Sequence, residues 1–177
     1  MVTCEWYSRR SDAASLADLL DERGRNFAGR AWAVRERRGP NRPTIVARCG
    51  GRVVGYVMGH FESEFDERFP VDYGPGQAWI EELYVAEGHR REGVGRALMG
   101  AFVAESLTHG CMYVACILDR SSDPSERFSF FRALGFLPLL PDDPTDAVCA
   151  PARTVLERAA MSATPARRSD GPINSAS

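Results

Sequence analysis

The chain has 177 residues, 44% of them hydrophobic, and its 22 lysines and arginines against 24 aspartates and glutamates leave a formal net charge of −2. That length suits one domain with a sizeable core. The near balance of charge argues against a nucleic-acid partner held by the field of the whole molecule. The opening stretch "MVTCEWYSRRSDAAS" is polar and lacks an apolar signal core, and no later run is long enough to span a bilayer. The expectation is a cytoplasmic protein with no membrane partner.

The five cysteines, Cys4, Cys49, Cys111, Cys116 and Cys149, are odd in number and scattered. No C-x-x-C pair occurs, and the histidines are only His60, His89 and His109. This pattern points to small buried thiols in a reducing compartment, with no metal site and no disulfide framework.

In chain order, "TCEWYSRR" (3–10) reads as a short strand. Asp12 is positioned to start a helix, with Leu16, Leu19 and Leu20 at helical spacing and Gly24 at its end. Phe27, Trp32 and Val34 suggest a second short helix within 25–41. "TIVARCGGRVVGYVMGHF" is a hairpin signal, two β-branched runs about Gly50-Gly51. The stretch 62–77 is acidic and aromatic, and "AWIEELYV" (78–85) is the next strand.

Leu98, Met99, Phe102, Val103 and Leu107 then mark one face of an amphipathic helix. "CMYVACIL" (111–118) has no polar face and reads as a buried central strand. In "DPSERFSFFRALG", Asp123 suits an N-cap, Pro124 the first helical position, Glu126 a capping box and Gly135 the helix end. "FLPLL" (136–140) and "RTVLERA" (153–159) are expected to form a last pair of strands. The Ser-, Ala-, Pro- and Arg-rich segment 161–177 is expected to be a disordered tail, leaving one domain over 1–160. The fold class is α+β or mixed α/β: one largely antiparallel sheet of about seven strands with helices on its faces.

The turn "HRREGVGRAL" (89–98) invites several readings. A dinucleotide fingerprint needs a third glycine where Leu98 stands, and a P-loop needs G-K-[ST], so both fail. A solvated surface turn competes with an anion cradle. In the cradle, Gly93 and Gly95 admit a ligand close to the backbone, and the first amides of the helix lack intrahelical partners. The helix dipole adds about 0.3–2 kcal/mol of attraction for an anion. Arg90, Arg91 and Arg96 add formal charge.

The run Arg90-Arg91-Glu92-Gly93-Val94-Gly95 fits R/Q-x-x-G-x-G/A, follows an I-x-x-L-x-V strand from Ile80 to Val85, and precedes "FRALGF" at Phe131–Phe136. In these respects residues 78–140 resemble the GNAT superfamily of acetyl-CoA-dependent N-acetyltransferases; residues 3–77 match only in the order of their elements. The resemblance implies that acetyl-CoA is the co-substrate. Its pantetheine would lie along strand 80–85, bonded by the backbone of Leu83, Tyr84 and Val85. Its pyrophosphate would rest on Arg91, Glu92, Gly93, Val94, Gly95 and Arg96, with Arg90 at the rim. A backbone amide near Leu83 would polarise the thioester carbonyl.

The resemblance also implies direct attack by an amine, which arrives protonated and needs a base. Glu81 and Glu82 are the candidates. In a regular strand they face opposite sides, and the bulge common in this family would upset that parity. Glu81, acting through water, is favoured over Glu82. His60, near the presumed cleft, is either structural or an aid to proton transfer. Phe131 departs from the family's usual tyrosine, which protonates the leaving thiolate; Tyr84, Ser125 and Ser129 are the nearest substitutes in sequence. The acidic aromatic stretch 62–77 suggests a cationic acceptor, a small molecule or a protein amine. Oligomeric state is open, a homodimer included. An acyl-CoA-binding regulatory module with little or no turnover is the competing expectation, kept alive by Phe131.

Overall fold

The computed structural model describes residues 2–22, 41–62, 76–118, 124–139 and 147–161. One seven-stranded sheet runs through them in the order β1-β2-β3-β4-β5-β7-β6. Its strands are β1 Val2–Trp6, β2 Thr44–Cys49, β3 Arg52–Glu62, β4 Gln77–Val85, β5 Tyr113–Ile117, β6 Leu137–Pro138 and β7 Ala147–Pro151. The helices are α1 Arg9–Glu22, α2 Val94–Thr108, α3 Pro124–Ala133 and α4 Ala152–Met161. Only β4 and β5 pair in parallel; the other neighbours are antiparallel. The mixed, largely antiparallel sheet is the architecture expected from the sequence.

Local chemistry sets the turns. Gly50 (φ 58°) and Gly51 (φ 81°) both take left-handed conformations, as a two-residue hairpin with the right twist requires. At the end of α3, Phe136 N–H donates to Phe131 O (3.1 Å) and Gly135 N–H to Arg132 O (2.9 Å), with Gly135 at φ 94°. That pair of bonds terminates the helix and satisfies its last carbonyls.

The sheet has two covered faces. On one, Leu98, Met99, Phe102 and Val103 of α2 are fully buried against Val57, Ile80 and Val114. On the other, Leu16 and Leu19 of α1 cover Val46, Tyr56 and Met58. Trp79, Tyr113 and Cys149 form a second cluster, on that same side by strand alternation. All five cysteines are free thiols. Burial pushes the Cys149 thiol up to about 11, and burial together with Cys149 raises Cys116 further.

Three elements differ from expectation. Residues 153–159 form part of helix α4, and the last long strand lies just before them in "AVCAP". Ala152, Val155, Leu156 and Ala159 recur at helical spacing and join the α2 side of the core. Helix α1 begins at Arg9, with Ser8 in the N-cap place: Asp12 N–H donates to Ser8 O (2.8 Å), and Ser8 N–H donates to Asp12 Oδ2 (2.7 Å). Asp12 is only 1% exposed because Arg48 of β2 grips it through Nε (2.9 Å) and Nη2 (2.7 Å). Strand β1 also ends at Trp6, short of the expected limit at residue 10. The helix suggested in 25–41, most of the acidic stretch 62–77, Asp123 and the tail beyond Met161 lie outside the described residues.

Candidate active site

Strand β4 organises the site. Residues Gln77–Ile80 are paired on both edges, with β3 on one side and β5 on the other. Pairing with β5 stops at Ile80 opposite Cys116, so among the described residues 81–85 have a partner strand only in β3. At the same point the β3 register shifts: Met58 faces Glu82, but Gly59 faces Ile80, so Glu81 is the extra residue of a bulge. Gly59 makes this possible, since a Cβ there would come 1.9 Å from the carbonyl oxygen of Trp79 and 2.9 Å from the Phe102 ring.

The bulge resolves the parity of the two glutamates. Glu82 faces Met58, and Glu81 reaches His60, two residues further along β3. Both therefore lie on the face that α1 covers. Glu82 is 5% exposed, and neither of its carboxylate oxygens touches solvent. The Glu81 side chain is 23% exposed, with Oε1 lying 2.9 Å from His60 Nδ1.

The backbone beyond the bulge alternates. Ala86 N–H donates to Val54 O (2.9 Å), which makes that a hydrogen-bonded pair. By the period of an antiparallel ladder, Tyr84 opposite Tyr56 is bonded likewise, whereas Leu83 and Val85 direct their amides and carbonyls away from β3. Of the three residues expected to bond a ligand through the backbone, Leu83 and Val85 thus point to the edge where β5 pairing has ended, and Tyr84 turns its backbone to β3.

The expected cradle follows β4. After a 3₁₀ turn at Glu87–His89, Arg91 sits at φ 64° and Gly93 at φ 84°. Two left-handed residues so close together bend the chain sharply just before α2. Gly93 is the N-cap of α2 and no side chain caps the helix. Ala97 N–H takes the Gly93 carbonyl (2.9 Å), so the preceding amides of Val94, Gly95 and Arg96 are the ones the α-helical pattern leaves without an acceptor. A Cβ on Gly93 meets nothing within 4 Å, whereas one on Gly95 would meet the Phe130 ring at 3.5 Å.

The charged side chains are arranged less simply than the sequence suggests. Arg96 donates to the Arg158 carbonyl of α4 (2.8 Å) and ties two helices together. Arg90 donates through Nε to Val85 O (3.2 Å) and lies 5.7 Å from the centre of the Tyr84 ring. Glu92 lies 3.1 Å from His89 Nδ1. Glu22, which the sequence did not single out, accepts from Glu87 N–H (2.9 Å) and from Tyr84 OH (3.4 Å). Burial, then the Glu22 carboxylate, raise the Tyr84 phenol above its ordinary value. No sequence signal links Glu22 to partners more than sixty residues away.

Phe131 is 7% exposed and meets Phe130 and Phe136 edge-on, with centroids 5.3 and 5.1 Å apart. It is a core residue. Ser129 Oγ donates back to Ser125 O (2.8 Å) on the surface of α3. No group of three or more metal-ligating side chains occurs among the described residues. No described helix is long and apolar enough to cross a membrane.

The sequence model of the acetyltransferase (GNAT) family matches residues 4–136. No curated protein sequence matches the chain. Similar solved structures include the aminoglycoside 6′-acetyltransferase type Ii, at 17% identity and TM-score 0.64, covering 85% of this chain and 97% of that one. The ribosomal-protein-S18-alanine N-acetyltransferase from Escherichia coli is 16% identical at TM-score 0.57, covering 84% and 91%. AAC(6′)-Iy bound to a CoA bisubstrate analogue is 17% identical at TM-score 0.59, covering 76% and 90%.

Proposed function

The chain belongs to the acetyltransferase (GNAT) family, and from that premise we propose that it moves an acetyl group from acetyl-CoA to a primary amine, with Glu81 taking the amine's proton. The observation that supports this best is the coincidence of the bulge with the end of β5 pairing: a partly exposed carboxylate stands beside backbone amides that point away from β3. The residues fit the co-substrate. Leu83 and Val85 offer backbone groups to a pantetheine. Val94, Gly95 and Arg96 offer amides to a pyrophosphate, with Arg91, Glu92 and Gly93 shaping the turn and Arg90 at its edge.

In this reading the amine nitrogen attacks the thioester carbonyl carbon and the carbon–sulfur bond breaks. The Leu83 amide polarises the carbonyl oxygen, and Glu81 accepts a proton through water. Glu82 is too enclosed to serve. With Phe131 in the core, the leaving sulfur has no help there. A thiol with a pKa of about 8.5 is still a tolerable leaving group, and the Tyr84 phenol on the same strand is the donor this reading assigns to it in place of Phe131. Glu22, Glu81 and Glu82 lie on the acceptor side and favour a cationic amine. An aminoglycoside and a protein alanine are the acceptors named for two of the similar structures, and both offer an amine.

Calorimetry with acetyl-CoA, followed by thiol release over a panel of amines, tests the reading. Binding together with thiol release from at least one amine is expected. Tight binding without release from any amine would favour a binding module, and no binding would overturn the proposal.

A further inference from the structure

We infer that His60 is a positioning residue for the proton transfer: its ring sets both the aim and the proton affinity of the Glu81 carboxylate. The inference rests on the reading of Glu81 given above. It starts from the bulge. A regular strand would place Glu81 on the other face of the sheet, away from His60. The extra residue opposite Gly59 turns Glu81 onto the His60 face and brings Oε1 within 2.9 Å of Nδ1. The sequence thus pairs a bulge-permitting glycine with a histidine one residue later, and the two together fix the carboxylate.

The pair is partly withdrawn from water, each side chain being 23% exposed. A hydrogen bond to an ionised group is shorter and stronger in such surroundings. While Glu81 is ionised, His60 Nδ1 must carry the hydrogen and donate it to the carboxylate. When a proton arrives from the amine, the pair takes it as a unit, as an imidazolium beside a carboxylate or as the neutral acid and ring. The balance is simple. The amine nitrogen forms its bond to the acyl carbon, and the carbon–sulfur electrons go to sulfur. Of the two protons an ammonium sheds, one ends on the thiol and the other passes through the pair to solvent.

Other titratable or charged groups on this face include Glu82 and Tyr84 on β4, Tyr56 on β3, Arg48 on β2, Glu5 on β1, Tyr7 before α1, Asp12 and Glu22 on α1 and, toward the other edge, Tyr113 on β5 and Cys149 on β7. Asp12 and Arg48 hold each other. Among these described residues His60 is the one whose ordinary titration falls between about pH 5 and 8. A glutamate joined to it holds a transferred proton at neutral pH better than a lone carboxylate.

The test is kcat/KM for acetyl transfer against pH, by thiol release with spermidine, kanamycin and an alanine peptide as acceptors. His60→Gln keeps an N–H to offer Glu81 but cannot titrate. It should leave KM for acetyl-CoA unchanged, lower kcat about tenfold or more, and move the rising limb of the profile to lower pH, toward an ordinary carboxylate. Wild-type kcat and an unmoved limb in His60→Gln would overturn the inference. A wild-type chain that releases thiol with none of the amines would instead remove the transferase reading, and this inference with it. An amine-free arm guards against misfolding of the variant: ¹⁵N resonances of the His60 ring in the wild-type chain should report a protonated Nδ1, and its titration should fall to lower pH in Glu81→Gln. An indifferent His60 would equally overturn the inference.

Discussion

The two halves of strand β4 have the same neighbour on one edge and different fates on the other. Gln77–Ile80 lies between β3 and β5, and all four residues are buried. In Glu81–Val85, β3 is the only partner strand among the described residues, and burial becomes mixed. The first half is scaffold: its backbone groups are consumed by two ladders. The second half turns the Leu83 and Val85 amides away from β3, the Val85 carbonyl being taken by Arg90, and the bulge at the boundary turns a carboxylate onto the face that α1 covers. In the proposed reading, a strand becomes a binding element by losing one neighbour beyond a bulge.

The largest expected effect lies in the second half. Glu81→Gln should reduce kcat by about 10²- to 10⁴-fold, the usual cost of losing a general base, with acetyl-CoA affinity unchanged by calorimetry. Glu82→Gln should cost less turnover. The reverse ranking would break the distinction drawn from their exposure.

Next comes the boundary itself. Gly59→Ala forces a Cβ onto the Trp79 carbonyl, so denaturant unfolding should show a loss of about 3 kcal/mol, the upper range for overpacking. A near-neutral Gly59→Ala would mean that the bulge relaxes freely, and that the two halves are not held apart by it.

A smaller effect is expected beyond the strand. Gly93→Val has open space around it but a φ of 84°. Holding a β-branched residue there costs about 1–2 kcal/mol, so acetyl-CoA affinity should fall about tenfold while the fold persists. Gly95→Ala, whose Cβ would make only ordinary contact with Phe130, should be milder.

The smallest effect serves as a control away from both halves. Burial raises the Asp12 carboxyl, but hydrogen bonds from Arg48, the Ser8 amide and Ser11, with the Arg48 charge, outweigh it and leave the pKa lowered from its ordinary 3.8. A lowered folded pKa contributes stability above that value and loses it as pH falls through the lower, folded one. The thermal midpoint should therefore decline below about pH 4, with a shallower decline in Asp12→Asn and no change in the pH profile of turnover at neutral pH.

What could be read in the sequence was what local chemistry decides. The Gly50-Gly51 hairpin, the apolar stripe of α2 and the glycine that ends α3 each depend on residues within one or two turns. So does the turn before α2, where Arg91 and Gly93 take the left-handed conformations. For the segment 153–159 a short apolar run with β-branched residues fits either period, and packing against α2 decides for the helix. The start of α1 at Arg9 rather than Asp12, and the burial of Asp12 under Arg48, thirty-six residues away, depend on contacts no local pattern carries. The bulge was foreseen only through resemblance; its location depends on Gly59, across the sheet from Glu81. The tie of Arg96 to the Arg158 carbonyl of α4 likewise joins residues far apart in the sequence. None of these long-range partners leaves a periodic trace.

Residue-resolved amide hydrogen exchange, with and without acetyl-CoA, tests the central claim most directly. The two-halves account predicts slow exchange at Tyr84 in both states, and faster exchange at Leu83 and Val85 that slows when acetyl-CoA binds. Leu83 and Val85 as slow as Tyr84 in the free chain, or unchanged by saturating acetyl-CoA, would contradict it.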